Sequence, residues 1–192
     1  ALLSQAQQLV PNVQGNEIQA NRLTTIAQGY MALGESITAA EIATQALQQA
    51  EAVTYADALR RDKTVEPIAI VYAKAGDIDQ AMQLAQSIEQ PYYRENVIGT
   101  AALSAARLGQ LEQAANLVQL LTLDQPTVRT LTDIGLYLAA AGDEDQAQPY
   151  FDQAVTVITT DGYPGPSFTQ KLIKAGFAET VLTALSTAPG GR

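Results

Sequence analysis

Ala75-Gly76-Asp77-Ile78-Asp79-Gln80-Ala81 is the stretch that decides the fold. A glycine stands after a run of periodic apolar residues, an aspartate follows it, and an alanine lies five residues beyond it. Glycine takes the left-handed backbone of a helix C-cap at little cost. Aspartate favours the start of a following helix, by capping it and by facing the positive end of its dipole. The stretch therefore predicts a helix, a tight turn and a second helix. The pattern recurs: Gly34, Gly76, Gly109, Gly142 and Gly176 are separated by 42, 33, 33 and 34 residues, and Ala39, Ala81, Ala114 and Ala147 follow the first four at one fixed distance. A period of this size marks a solenoid made of one repeated supersecondary unit.

Counting back from each glycine gives the first helix of the unit, helix A. Eleven residues before stand Leu23, Val65, Ile98 and Leu131; eight before, Ile26, Ile68, Ala101, Ile134 and Phe168. Seven before stand Ala27, Ala69, Ala102 and Gly135; four before, Tyr30, Tyr72, Ala105, Leu138 and Leu172. Separations of three, four and seven place these on one helical face, and a small residue in that face lets a neighbouring helix approach. Beyond each glycine a second helix, helix B, shows its own register, as in Ile78, Ala81, Met82, Ala85 and Ile88. The spacing predicts helix A over 19–33, 65–75, 93–108, 128–141 and 167–175, and helix B over 37–58, 78–89, 111–121, 144–159 and 178–186. The units fall near 19–58, 65–89, 93–121, 128–159 and 167–186 of a single domain, 1–192, with Pro91 and Pro126 closing two of them. The longer first gap predicts a longer helix B in the first unit, with a basic end at Arg60, Arg61 and Lys63. Residues 2–10 read as a helix B whose partner is missing, 161–167 as a turn-rich loop, and 189–192 as a disordered tail.

Composition narrows the chemistry. Hydrophobic residues make up 47% of the 192, enough for a core, while charged residues make up only 16% and 21 glutamines fill the polar positions. The net charge of −9 argues against general binding of nucleic acid, which needs a basic surface. Without Cys or His there is no disulfide, thiolate nucleophile, imidazole base or ordinary zinc site, so no cofactor and no metal is expected. No apolar run approaches the length of a membrane span. The remaining acids are spread over solvent-facing helix positions, with no phosphate loop and no nucleophile elbow, which points away from an enzyme. The chain starts at Ala1 rather than Met. This leaves a processed mature form and an excised fragment both open, soluble in the cytoplasm or after export.

With Ala27/Tyr30, Ala69/Tyr72, the Gly-to-Ala spacing, Phe151, Ala154 and Pro126 in place, the chain resembles the tetratricopeptide repeat family over about residues 18–186. It lacks that family's Trp, has Ala105 where an aromatic is usual, and carries a degenerate fifth unit. The Gln-rich wording also resembles repeat proteins of cyanobacteria. The resemblance implies an all-α, right-handed superhelix of about five helical hairpins, a non-catalytic scaffold, and a concave groove built mainly from helix A. Mapped onto this chain, that groove carries Asn21, Gln28, Lys63, Lys74, Asn96, Arg107, Arg129 and Lys174, with Thr24, Glu66, Ile70, Leu103, Thr132, Leu136 and Gln170 also facing it.

Five of the eleven basic residues fall in this set, which predicts a partner protein or peptide with an acidic segment. Lys74, Arg107 and Lys174 sit two residues before a glycine, where the helix dipole alone favours a cation. Lys63 and Arg129 lie near helix starts and carry the argument. The competing reading is an assembly subunit packed into a larger complex, which would carry an exposed apolar patch on the outer face. Asp143-Glu144-Asp145 reads as a solvated helix start and not a cation loop. Tyr30, Tyr72 and Tyr137 read as core, and one of Tyr92 and Tyr93 as an exposed anchor.

Overall fold

The computed structural model describes residues 2–161 together with Gln170. Everything among these residues that is regular is helical: α1 (Leu2–Leu9), a 3-10 turn (Val10–Asn12), α2 (Asn16–Ala32), α3 (Ser36–Glu51), α4 (Ala58–Ala75), α5 (Ile78–Ser87), α6 (Pro91–Arg107), α7 (Leu111–Val118), α8 (Asp124–Ala140) and α9 (Glu144–Asp161). Helices α2, α4, α6 and α8 are the A helices of four units, and α3, α5, α7 and α9 their B helices. Apart from Gln170, the unit predicted at 167–186 lies outside the described residues, as do the predicted loop beyond residue 161, the tail and Lys174.

The turn at Gly76 shows why the period exists. Gly76 has φ +94°, its N–H donates to Ala73 O at 3.1 Å, and Asp77 N–H reaches back to Tyr72 O at 3.0 Å. This pair of bonds satisfies the last carbonyls of α4 and needs a left-handed residue at its centre. Asp77 then accepts from Gln80 N–H and starts α5. The same long bond runs from Glu35 to Tyr30, from Gln110 to Ala105 and from Asp143 to Leu138. Because every turn is the same, every helix B leaves its helix A at the same place, and the residue five beyond the glycine meets helix A. Ala39, Ala81, Ala114 and Ala147 are all fully buried, as are Ala27, Ala69 and Ala102 on the facing helices. In the fourth unit Gly135 replaces the alanine, since a Cβ there would lie 2.7 Å from the ring of Phe151, itself fully buried.

Helices α2, α4, α6 and α8 pack side by side, and α3, α5 and α7 each pack between their own helix A and the next. No two of the B helices come into close backbone contact among the described residues. One layer is therefore continuous and the other is spaced apart. One hydrophobic core runs through both. Helix α1 packs on α2, with Leu3 against Gly29, in the manner of a helix B.

Three boundaries differ from the sequence expectation. The first helix B ends at Glu51, not near residue 58, and α4 begins at Ala58 behind Asp57, whose side chain accepts from Arg60 N–H. The extra residues form the link 52–57 and the front of α4, so Arg60, Arg61 and Lys63 belong to a helix A. Asp57 is a strong cap, which is the local reason the helix restarts there. Pro91 and Pro126 do not close units but sit in the first turns of α6 and α8, where a missing N–H costs nothing.

Candidate partner-binding face

The residues expected in the groove fall in rows across the A helices. Asn21, Lys63, Asn96 and Arg129 stand thirteen before their glycines, Thr24, Glu66, Gly99 and Thr132 ten before, and Gln28, Ile70, Leu103 and Leu136 six before. Lys74 and Arg107 close two of the helices. Asn21, Gln28, Lys63, Lys74, Arg107 and Gln170 are exposed, and Arg129, Ile70, Leu103 and Leu136 are half-buried. Thr24, Thr132 and Asn96 are buried between helices and offer no open surface. Thr24 Oγ1 instead donates to Ala20 O within its own helix.

Three of these residues are joined. Asn96 Nδ2 donates to Glu66 Oε1 at 2.8 Å, and Arg129 Nη2 donates to Asn96 Oδ1 at 2.8 Å. A hydrogen-bonded chain thus links α4, α6 and α8. Desolvation raises the Glu66 carboxyl above its usual range, against the opposing pull of the Asn96 bond and the Arg129 charge. Arg129 is held within the protein and faces a carboxylate, so it contributes less to an outward field than an exposed cation would. Lys63, six residues into α4, stays exposed. At the far end of α6, the Arg107 guanidinium lies 6.0 Å from the centre of the Tyr137 ring. A recess of about 40 Å³ opens beside Leu103, lined also by Gly99, Thr100, Arg129, Thr130 and Asp133.

Two buried acids with a structural role escaped the sequence reading. Asp62 and Glu95 are buried at the starts of α4 and α6. Asp62 Oδ2 accepts from the N–H groups of Glu89 and Gln90 at 3.1 and 2.8 Å. Glu95 accepts from Thr122 N–H at 3.1 Å, Leu123 N–H at 2.8 Å and the Thr122 hydroxyl at 2.5 Å. Each carboxylate therefore fastens the loop that leads into the next helix A. Both stand fourteen residues before their glycines, and that shared register was the available signal.

Charge divides by layer. Every Lys and Arg among the described residues lies on a helix A: Arg22 on α2, Arg60, Arg61, Lys63 and Lys74 on α4, Arg94 and Arg107 on α6, Arg129 on α8. Helices α1, α3, α5, α7 and α9 carry none, while the B helices carry Glu41, Glu51, Asp79, Glu112, Glu144, Asp145, Asp152 and Asp161. Of the tyrosines, Tyr72 is buried and its hydroxyl meets Thr44 Oγ1 at 2.8 Å, whereas Tyr92 is exposed and stands edge-on to Tyr93. No described helix is long and apolar enough to cross a membrane.

No protein-family model matches the chain, and no curated protein matches it. Among solved structures, a kinesin light chain of Podosopora anserina with nearly identical TPR-like repeats superposes with a TM-score of 0.51 at 18% identity, over 84% of this chain and 85% of that one. BtubC (BKLC) from P. vanneervenii gives a TM-score of 0.46 at 16% identity, over 96% of this chain and 80% of that one. The all-helical architecture, the turns at the repeat glycines and the first of these superpositions together make this a TPR-like helical-repeat fold.

Proposed function

We propose that the chain is one continuous array, 1–192, serving as a non-catalytic protein-interaction scaffold that binds a segment of another protein across its helix A face. The layer division of charge carries this reading. Dipole stabilisation at helix C-termini does not explain it, because every helix B also has a C-terminus and none ends in a cation. A continuous layer of side-by-side helices that collects all the described cations of a chain of net charge −9 is suited to an acidic ligand. Asn21, Gln28, Lys63, Lys74 and Arg107 are the contacts this reading favours, with Asn96 and Arg129 acting as floor. By its register in the sequence, Lys174 would join the same set.

The assembly-subunit reading needs a sizeable apolar patch on the helix B layer. Within α5, α7 and α9 no large hydrophobic side chain is exposed among the described residues, and the exposed ones near this layer, Leu2 and Leu9 on α1, Ile37 on α3 and Leu120 after α7, fall on separate elements. Hydrogen exchange of the chain with a captured partner tests the choice. Protection concentrated on α4, α6 and α8 is expected; protection confined to α3, α5 and α7 would overturn the scaffold reading in favour of assembly.

A further inference from the structure

One cation of α4 reaches out of the A layer. Arg61 Nη1 donates to Ser87 O at 2.5 Å, at the end of α5. The side chain is still 37% exposed, and Nε and Nη2 make no hydrogen bond among the described residues. Asp62 Oδ1 lies 3.8 Å from Nη1, beyond hydrogen-bond reach, and Asp62 is fully buried on the N–H groups of Glu89 and Gln90. Two adjoining recesses, of about 240 and about 510 Å³, share Arg61, Glu51, Ala50 and Tyr55 in their walls. Glu51 is the exposed last residue of α3, and its carboxylate has no hydrogen bond or ion pair among the described residues. Helix α3 ends with no cation in its last turn, so the negative end of its dipole adds to this carboxylate. The Tyr55 hydroxyl is buried, so the recesses meet its ring. The smaller recess continues along Leu47 and Leu84, the larger along Asp57 and Glu89. Arg61 thus has apolar walls to one side and acids to the other. An arginine and a glutamate that border one space without pairing leave room between them for a ligand that carries both charges.

We propose that the junction of α3, α4 and α5 binds a small zwitterion, an α-amino acid with an apolar side chain. Its carboxylate takes the open side of the Arg61 guanidinium. Its ammonium takes Glu51 and the end of α3, in the part of the space that Asp57 and Glu89 keep negative. Its side chain lies between Leu47 and Leu84, beside the Tyr55 ring. The bond from Arg61 to Ser87 O holds the guanidinium in place, so little rotamer freedom is lost when the ligand arrives. Arg94 repeats the Arg61 register one unit along, but its Nη1 turns to Ile88 O of the loop just before its own helix. The site lies against the B helices, apart from the helix A face, and does not depend on what that face binds.

The probes are leucine, methionine and phenylalanine, titrated into the isotope-labelled full chain and followed by backbone amide shifts. Two leucine analogues keep its apolar body and drop one charge each: isocaproate lacks the ammonium and isoamylamine lacks the carboxylate. At least one of the amino acids should shift the amides of Ala50, Tyr55, Arg61 and Ser87 and saturate at millimolar concentration. Each analogue should bind about tenfold more weakly than leucine, the measure of one charge-assisted contact. Glu51→Gln should bind leucine about tenfold more weakly and no longer distinguish it from isocaproate. Glu112→Gln, the same change of charge at an exposed site on α7, should bind as the wild type does. In Arg61→Gln, leucine and isoamylamine should bind alike; Glu51 makes no bond in the fold, so Glu51→Gln decides the matter even where loss of the Ser87 bond unfolds that variant. No shift at this junction with any of the three amino acids, isoamylamine binding as tightly as leucine, or equal losses in Glu51→Gln and Glu112→Gln would overturn the inference.

Discussion

Removing the Glu95 carboxylate tests whether buried acids join the repeats. Glu95 is 2% exposed and accepts from two backbone N–H groups and one hydroxyl of the Thr122–Leu123 loop. Glu95→Ala leaves those part-buried donors without their acceptor, at no more than about 1–3 kcal/mol for each N–H. Against this stands relief of the carboxylate's own desolvation, which is several kcal/mol in size. The balance is a loss of about 1–3 kcal/mol, or roughly 5 °C in melting midpoint for a chain of this size. Glu95→Gln should behave differently. Its amide oxygen can take the place of Oε2 before Thr122 N–H and Leu123 N–H, and its NH₂ can donate to Thr122 Oγ1 once that hydroxyl turns to accept. Only the charge assistance disappears, about 1 kcal/mol. The assay is chemical denaturation followed by helical circular dichroism, with the exposed Glu112→Ala as control, expected within about 0.5 kcal/mol of wild type. Arrays of repeats can uncouple at a weakened junction, so Glu95→Ala should also broaden the transition. A Glu95→Ala protein as stable as the Glu112→Ala control would refute the stapling role.

Other outcomes follow from single sites. Ala114→Leu places three extra carbons where α7 crosses α6 and should cost about 1–3 kcal/mol by overpacking, read as a lower melting midpoint. Gly135→Ala drives a Cβ into the Phe151 ring and should destabilise comparably, with partial recovery in Gly135→Ala/Phe151→Leu; no recovery would mean that the ring is not the obstacle. The raised Glu66 carboxyl implies that the folded state holds this proton more tightly than the unfolded one, so stability from this group falls as pH rises through the range just above the ordinary glutamate value. The stability deficit of wild type relative to Glu66→Gln should therefore be larger at pH 7 than at pH 4.5 in parallel melts, and a deficit that grows in acid would contradict the raised carboxyl.

The turns were legible because they are local. A residue at positive φ is fixed by its own few neighbours, and Gly34, Gly76, Gly109 and Gly142 all obey, while a capping side chain follows at Asp77 and Asp143 but not at Glu35 or Gln110. The buried alanines were legible because an identical turn fixes where the next helix crosses. Helix starts were less so. The register predicted a first helix B running to 58, yet Asp57 restarts the chain as α4, and a proline that looked like a stop at Pro91 is a first-turn residue. The buried acids were missed for a different reason. On a helical wheel Asp62 and Glu95 are polar residues beside an apolar stripe, indistinguishable from solvated ones until the preceding helix B delivers its loop onto them. Asn96 and Arg129 suffer the same ambiguity: the sequence places them on the groove side, while the packing of α6 between α4 and α8 turns Asn96 inward and ties Arg129 to it.

That ambiguity bears on how the described cations of an acidic chain come to lie in one layer. The A helices carry eight cations but also six acids: Glu17, Asp62, Glu66, Glu95, Asp124 and Asp133. Were all six displayed beside the cations, the layer would be close to neutral. Two of them, Asp62 and Glu95, are instead buried against the N–H groups of the inter-repeat loops, at the end of the helix remote from Lys74 and Arg107. Glu66 is half-buried and bonded to Asn96, and Glu17 is paired with Arg60 at 2.7 Å. The bonds that hold one unit to the next are thus the same bonds that withdraw negative charge from the outer surface of the A layer. Rigidity and sign have one cause here, and a variant that loosens the staples should alter the field of the face together with the stiffness of the array.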